Sequence, residues 1–257
     1  MSKRWYVVHA YSGFEKRVAA ALKERVQGAT ARVLNYQAAS GSFGLWGPGS
    51  GDLWLDSYVT DFLTRAREVG YDVPEQAMLS ALENLQNALS YDVDVKSQGS
   101  EIAYAVYVLA RNRRASVSDL RYYAESEISN FSNPMSRAQL GASLALYGDQ
   151  SGAERAFGSA FELAKATPSN SGWRNDYGSA LRDGAAMLAL AAETKPGISS
   201  VKDMIAYMAA LRQTVRWTST QDEAWMLRAA RALAVPDVVQ ASRALFPPEA
   251  NASRLRT

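Results

Sequence analysis

Five glycines and a proline fall within the twelve residues Ser40-Gly-Ser-Phe-Gly-Leu-Trp-Gly-Pro-Gly-Ser-Gly51. No helix or strand interior sustains that density, because each glycine adds backbone entropy that ordering must remove. The stretch is therefore a loop, and it runs straight into Asp52, an acid suited to capping a helix. Beyond it Leu55, Tyr58, Val59, Phe62, Leu63 and Ala66 recur at helical spacing until Gly70 supplies a stop. A loop this rich in glycine is ordered only if something heavy holds it down. Its aromatics are the candidates: Phe43, Trp46 and Trp54 are expected to anchor it, with Trp46 and Trp54 buried.

The rest of the chain repeats the same grammar of helical runs and short punctuation. Pro74 suits a first helical position, and Met78, Ala81, Leu82, Leu85 and Leu89 form the stripe that follows. After a turn around Tyr91 to Gly99 comes a helix with Ile102, Val106 and Leu109, ending at Arg111 to Arg114. A Ser116/Asp119 capping box opens another, with Leu120, Ala124 and Ile128. Asn133-Pro134 starts one that stops at Gly148, and Asp149 starts its partner. Further helices are expected near Tyr177 to Glu193, Ser200 to Arg216, Ser219 to Ala234 and Asp237 to Leu245, with a frayed tail beyond Pro247. Apart from Trp5 to Ala10, no period-two run is bounded by hairpin turns, so the fold class is all-α.

Composition removes whole classes of chemistry. With no cysteine among 257 residues, disulfides, thiolate metal sites, cysteine nucleophiles and thioesters cannot form. The 28 basic and 26 acidic side chains leave a net charge of +2, which implies no nucleic-acid or acidic partner. No apolar run reaches the roughly 20 residues that cross a bilayer. The N-terminus shows no apolar secretory segment with a cleavage site, so as written the chain is expected to be cytoplasmic.

The first 26 residues form a separate phrase. Trp5-Tyr-Val-Val-His-Ala10 reads as a strand, and Tyr11 to Val26 reads as a helix opened by a Ser12/Glu15 capping box. This wording resembles the first strand and helix of NusG-type transcription elongation factors, without the later strands or small barrel of that family. The SGSFGLW loop and the Trp54-Leu-Asp-Ser-Tyr-Val-Thr-Asp-Phe-Leu63 helix resemble the thioester domain of bacterial alpha-2-macroglobulins. Asn175 to Ala185 and Thr218 to Trp225 agree with it in the same order, so the resemblance covers about Val33 to Leu245. Three segments are expected: an incomplete NusG-like start (1–26), a thioester-domain-like helical domain (27–245) and a tail (246–257). Val18, Leu22, Val26, Ala29 and Val33 keep helical spacing across the seam, so one helix is expected from about Gly13 to Gln37, running through Gly28. Two families inside one helical pattern suggest a chimera.

The thioester-domain resemblance implies an α/α toroid of antiparallel helical hairpins and a parent that entraps proteases in the periplasm or cell envelope. In that family a Cys-x-Glu-Gln segment upstream of the loop forms the thioester. Here the NusG-like stretch takes its place, and the bait segment and sandwich domains of an intact inhibitor are missing, so the chain is expected to be an inactive fragment of a trap. A non-catalytic interaction module remains open, because Leu140, Gly141, Leu144, Ala153, Phe157 and Ala160 match one tetratricopeptide hairpin. Two antiparallel helices crossing closely on small residues is the plainer account of that match. A NusG-type transcription factor is the third reading.

No catalytic, cofactor-binding or metal-binding residue is expected, and the chain is not read as an enzyme. His9 is the only histidine and lacks a second ligand or an orienting base. Arg111, Arg113 and Arg114 suit a solvated helix end better than a phosphate site. Asp176, Asp183, Asp222 and Glu223 could tempt an acid/base reading, but Asp222 and Glu223 fit a first helical turn. Phe43, Trp46, Trp54, Trp173, Trp217 and Trp225 are expected to be core or loop anchors rather than a ligand groove.

Overall fold

The structure is a computed structural model that describes residues 15–91, 94–167, 174, 176, 178–194 and 201–234. The expected strand at Trp5 to Ala10, His9, Ser12 of the first capping box, Trp173, the helix at Asp237 to Leu245 and the tail lie outside the described residues. The chain divides into two compact units, Met1–Asn84 and Leu85–Thr257. Among the described residues there are ten α-helices, and the only pairing of extended backbone is an isolated antiparallel bridge between Gln37 and Phe43.

In the first unit, α1 (Glu15–Leu34) runs unbroken through Gly28, as the spacing across the seam predicts. Its apolar stripe is less continuous than expected. Leu22 is 56% exposed, while Val26, Ala29 and Val33 are only partly buried and Thr30 is fully buried. The helix is tied down from Gln27 onward: that side chain donates to the Asp72 carbonyl at 3.1 Å and accepts from the Asp72 amide at 3.3 Å. Thr30 is buried without cost to its hydroxyl, which donates to the Val26 carbonyl at 3.0 Å.

Asp52 caps α2 (Leu53–Glu68) by accepting from the Leu55 amide, and Gly70 follows its end at a φ of 86°. The face it buries differs from the apolar reading. Leu63 and Ala66 are buried, but so are Asp56, Ser57, Thr60, Asp61 and Thr64, while Tyr58 is exposed and Leu55, Val59 and Phe62 are intermediate. Hydroxyl chemistry explains the difference. Ser57, Thr60 and Thr64 each donate to the carbonyl four residues back, at 2.6, 2.6 and 2.7 Å, so a polar stripe enters the interior with its hydrogen bonds satisfied. Next in order is α3 (Glu75–Ser90), which belongs to this unit as far as Asn84; Met78, Ala81 and Leu82 of its stripe are buried, and so is Leu85, the first residue of the second unit.

The second unit is layered around helices buried on all sides. From Ile102 to Ala110, α4 (Val95–Arg111) is buried continuously, and α8 (Ala180–Thr194) is buried from Leu181 to Ala191. Around them lie α6 (Pro134–Leu146), α7 (Gln150–Ala166), α9 (Val201–Thr214) and α10 (Thr220–Leu233). α6 packs on α4, α7 and α8, and α8 packs on α9 and α10. Capping residues set the starts: Asp94, Asn133, Asp149 and Ser219 accept from the first-turn amides of α4, α6, α7 and α10. A Cβ on Gly141 would lie 2.9 Å from the Phe157 ring, so α6 and α7 cross closely on small residues as expected.

Three expectations in this unit are corrected. α4 begins at Val95 rather than after Gly99, because Asp94 caps it and a kink at Gln98 (φ −118°, ψ 18°) keeps the turn within the helix. The helix expected from Ser116 through Ile128 breaks into α5 (Val117–Arg121), one wide turn at Tyr122–Ser126 and a tight turn at Ile128–Asn130. The added residue brings Phe131 back onto Tyr123, edge to face at 6.1 Å, so both rings are buried beside Leu120. Nor is the end of α4 simply solvated: Arg111 pairs with Glu193 at 3.1 Å, and Arg113, at a φ of 61°, donates to the Leu146 carbonyl and lies over Tyr147.

Candidate functional site

The glycine-rich loop is closed at its base by one carboxylate. Asp56, in the first turn of α2 and 5% exposed, accepts from the Phe43 amide at 2.7 Å and from Asn84 Nδ2 of α3 at 2.7 Å. Ser42 Oγ lies 3.0 and 2.9 Å from the two Asp56 oxygens and itself accepts from the Gly51 amide at 2.7 Å. The Ser42 hydroxyl therefore joins the two ends of the loop to each other and to the helix. The entry strand is fixed by backbone: the Ala38 amide donates to the Ser42 carbonyl at 2.8 Å and the Gly44 amide to the Tyr36 carbonyl at 3.2 Å. Gly41 sits at a φ of 91°, where an added Cβ would lie 2.0 Å from the Ser80 carbonyl oxygen, so the loop lies directly on α3.

The three expected anchors separate. Phe43 is 1% exposed and Trp54 is half-buried, stacked on Tyr58 with ring centroids 5.2 Å apart. Trp46 is 95% exposed and Leu45 66% exposed, so the expectation that Trp46 holds the loop by burial is corrected. The physical reason is that polar contacts at the base take over the anchoring, which leaves the tip to present its side chains outward. Burial pushes the Asp56 carboxyl above its ordinary value of 3.8, against the hydrogen bonds from Phe43, Ser42 and Asn84, and Asp52 adds to the rise. No cation accompanies it among the described residues. Sequence reasoning missed Asp56, Ser42 and Asn84. The signal was the spacing of Asp56, Thr60 and Thr64, a polar stripe with the same helical period as the apolar one.

A second polar cluster lies in the other unit. Arg174 donates to Asp176 at 2.9 and 2.6 Å and to Asp183 at 2.6 Å, while Arg182, 1% exposed, reaches Asp176 at 2.7 Å and Asp183 at 2.6 Å. Two guanidiniums and two carboxylates make a closed, neutral knot. Burial alone would raise the Asp176 carboxyl, but Arg182 and Arg174 hold it below 3.8. Both Asp176 and Asp183 spend their oxygens on the two guanidiniums, the arrangement of a structural ion-pair network. Asp222 completes a capping box with Ser219 on α10 and accepts from Ser179, just before α8. Glu223 accepts from Thr218. Of the remaining aromatics, Trp225 is buried under Arg228 at 3.6 Å, whereas Trp217 is exposed. Among the described residues no group of His, Asp or Glu side chains is arranged to hold a metal ion, and no helix is long and apolar enough to cross a membrane.

Comparison with known proteins bears directly on the loop and its helix. The family model of the A-macroglobulin TED domain matches residues 6–101. Alpha-2-macroglobulin of Escherichia coli is 34% identical over 215 residues, which is 79% of this chain and 13% of that protein. The electron cryo-microscopy structure of native E. coli alpha-2-macroglobulin superposes with a TM-score of 0.70 at 32% identity, covering 87% of this chain and 14% of that one. The chain thus spans about one seventh of the length of these relatives. At its start, the NusG protein of Xylella fastidiosa is 79% identical over 24 residues, 9% of this chain and 13% of that protein. The expected α/α toroid is the fold class that the chain shares with these macroglobulin structures. Behind a short NusG-like start, this chain belongs to the thioester-domain portion of the bacterial alpha-2-macroglobulin family.

Proposed function

We infer that the chain is a fragment of a bacterial alpha-2-macroglobulin-like protease inhibitor that keeps the helical scaffold of the trap without its covalent chemistry. The inference rests on the absence of cysteine in a domain of the thioester type: without a thiolate there is no acyl-thioester to open. In the parent context the partner is a protease, in the periplasm or cell envelope. Alone, the chain binds no cofactor, catalyses no reaction and leaves proteases active. Its NusG-like start marks a chimera of 1–26 with 27–245, followed by the tail 246–257. Neither nucleic acid nor membrane is a partner in this reading. The test is to incubate the chain with methylamine and, separately, with trypsin. No mass increase from methylamine, no trypsin adduct that survives boiling in detergent and full residual trypsin activity are expected, and any adduct would refute the reading.

The exposed Leu45–Trp46 tip favours a second reading, a non-catalytic interaction module that engages a partner through this loop. The Phe43, Trp46 and Trp54 segment then serves as a presented surface with Phe43 as its inner anchor. A binding partner lost on Trp46→Ala but kept on Trp217→Ala would support it, and equal loss or no loss in the two variants would not.

A further inference from the structure

We propose that the first half of α1 is a processing site for endoproteases that cut after arginine or lysine, with Arg25–Val26 as its last cleavable bond, so that cutting there parts the NusG-like start from the helical domain. Ala20 to Arg25 are all exposed. Six consecutive residues span more than one turn of about 3.6 residues, so no face of α1 is covered there. Packing begins one residue further on. Val26 and Ala29 are partly buried, Thr30 is fully buried, and the Gln27 side chain is bonded in both directions to the backbone of Asp72. Beyond the helix, Gln37 donates to the Ala77 carbonyl at 2.8 Å, so the second half of α1 is held at both ends.

An endoprotease takes several residues of its substrate in extended form, so a helix must unwind locally before it is cut. From Glu15 to Arg25 that cost is small: an isolated helix of fewer than about 12 residues is marginal in water, and no packed face from Ala20 to Arg25 supports this one. Unwinding from Val26 to Leu34 instead breaks the Gln27–Asp72 pair and exposes Thr30. The helix therefore carries two arginine–valine bonds in opposite states, Arg25–Val26 in the unsupported half and Arg32–Val33 in the packed one, although both arginines are exposed. Arg113 and Arg114, exposed between α4 and α5, are held by backbone contacts: Arg113 donates to the Leu146 carbonyl, and the Arg114 carbonyl accepts from Gln86 at 3.2 Å. Cleavage adds one water across the peptide bond, leaving a carboxylate on Arg25 and an amine on Val26.

The proposal does not rest on the inhibitor reading, since a trypsin adduct and a cut after Arg25 have different masses. The full-length chain is incubated with a trace of trypsin under native conditions and, in parallel, in urea, and the products are followed over time by intact-mass spectrometry. In the native protein the Arg25–Val26 bond should be cut at least about tenfold faster than Arg32–Val33, and the product that begins at Val26 should persist. In urea the two bonds should be cut within about threefold of each other, so that packing rather than sequence sets the native order. Arg25→Gln, a change at an exposed position, should move the start of the persisting product to Glu24 through a cut after Lys23. Equal native rates at the two arginine–valine bonds, a native preference that is unchanged in urea, an Arg25→Gln chain left uncut after Lys23, or a parent chain still intact at Arg25 when a bond within α2 to α10 is cut would each overturn the proposal.

Discussion

Phe43 and Trp46 stand three residues apart in one loop and have opposite fates, buried and exposed. Phe43→Ala should therefore cost about 3–5 kcal/mol, the usual loss for a core aromatic, whereas Trp46→Ala should stay within about 0.5 kcal/mol. Trp54 lies between them: its loss removes a half-buried ring and the Tyr58 stack, which corresponds to about 1–2 kcal/mol. Urea unfolding of the three variants measures the order, and a Trp46→Ala loss above about 2 kcal/mol would mean that the tip is seated. Sequence could not rank these rings. All three are aromatics in or next to the glycine-rich stretch, and Phe43 is turned inward by partners outside the loop: the Gln37 bridge and Asp56, itself held by Asn84. Local chemistry was legible where the partner is local, as in the Asp52 cap and the Ser219/Asp222 box.

Helices with strong period and clear punctuation were read nearly to their ends, and the failures occur where tertiary contacts outvote the local pattern. Between Ser116 and Asn130 the spacing of Leu120, Ala124 and Ile128 fits one helix, yet burying Phe131 against Tyr123 requires an added residue in the turn. On α2 the apolar period was real, but self-satisfied hydroxyls let a polar stripe compete for the interior. Two glycines test this distinction between local and tertiary control. Gly28 lies in mid-helix with no atom within 4 Å of an added Cβ, so Gly28→Ala should stabilise by about 0.5–1 kcal/mol. Gly41, at positive φ against the Ser80 carbonyl, should lose more than about 2 kcal/mol on the same change. Thermal unfolding of both variants decides the matter, and a destabilised Gly28→Ala would show that α1 is not a continuous helix in solution.

At the scale of the whole molecule, two buried carboxylates impose opposite pH dependences on folding. Asp176, held below 3.8 by Arg182 and Arg174 against the effect of burial, binds its proton more weakly folded than unfolded. Its contribution is fully present above about pH 4 and is lost as pH falls below 3.8 through the folded value. Asp56 has the reverse sign. Burial raises it, the folded chain binds the proton more tightly, and stability declines as pH rises from 3.8 through the raised value. Holding the Asp56 carboxylate ionised at the base of the loop thus costs the fold some stability, a cost that Asp56→Asn removes. The penalty of Asp176→Asn should therefore be constant from pH 7 to about 4 and shrink below that. The effect of Asp56→Asn should be least favourable near pH 4 and become more favourable towards pH 7. Denaturant unfolding of the parent and both variants at pH 3, 4, 5.5 and 7 gives the two slopes. Slopes of the same sign would mean that one of the two clusters is not formed as described, and the variant whose profile runs parallel to the parent identifies which.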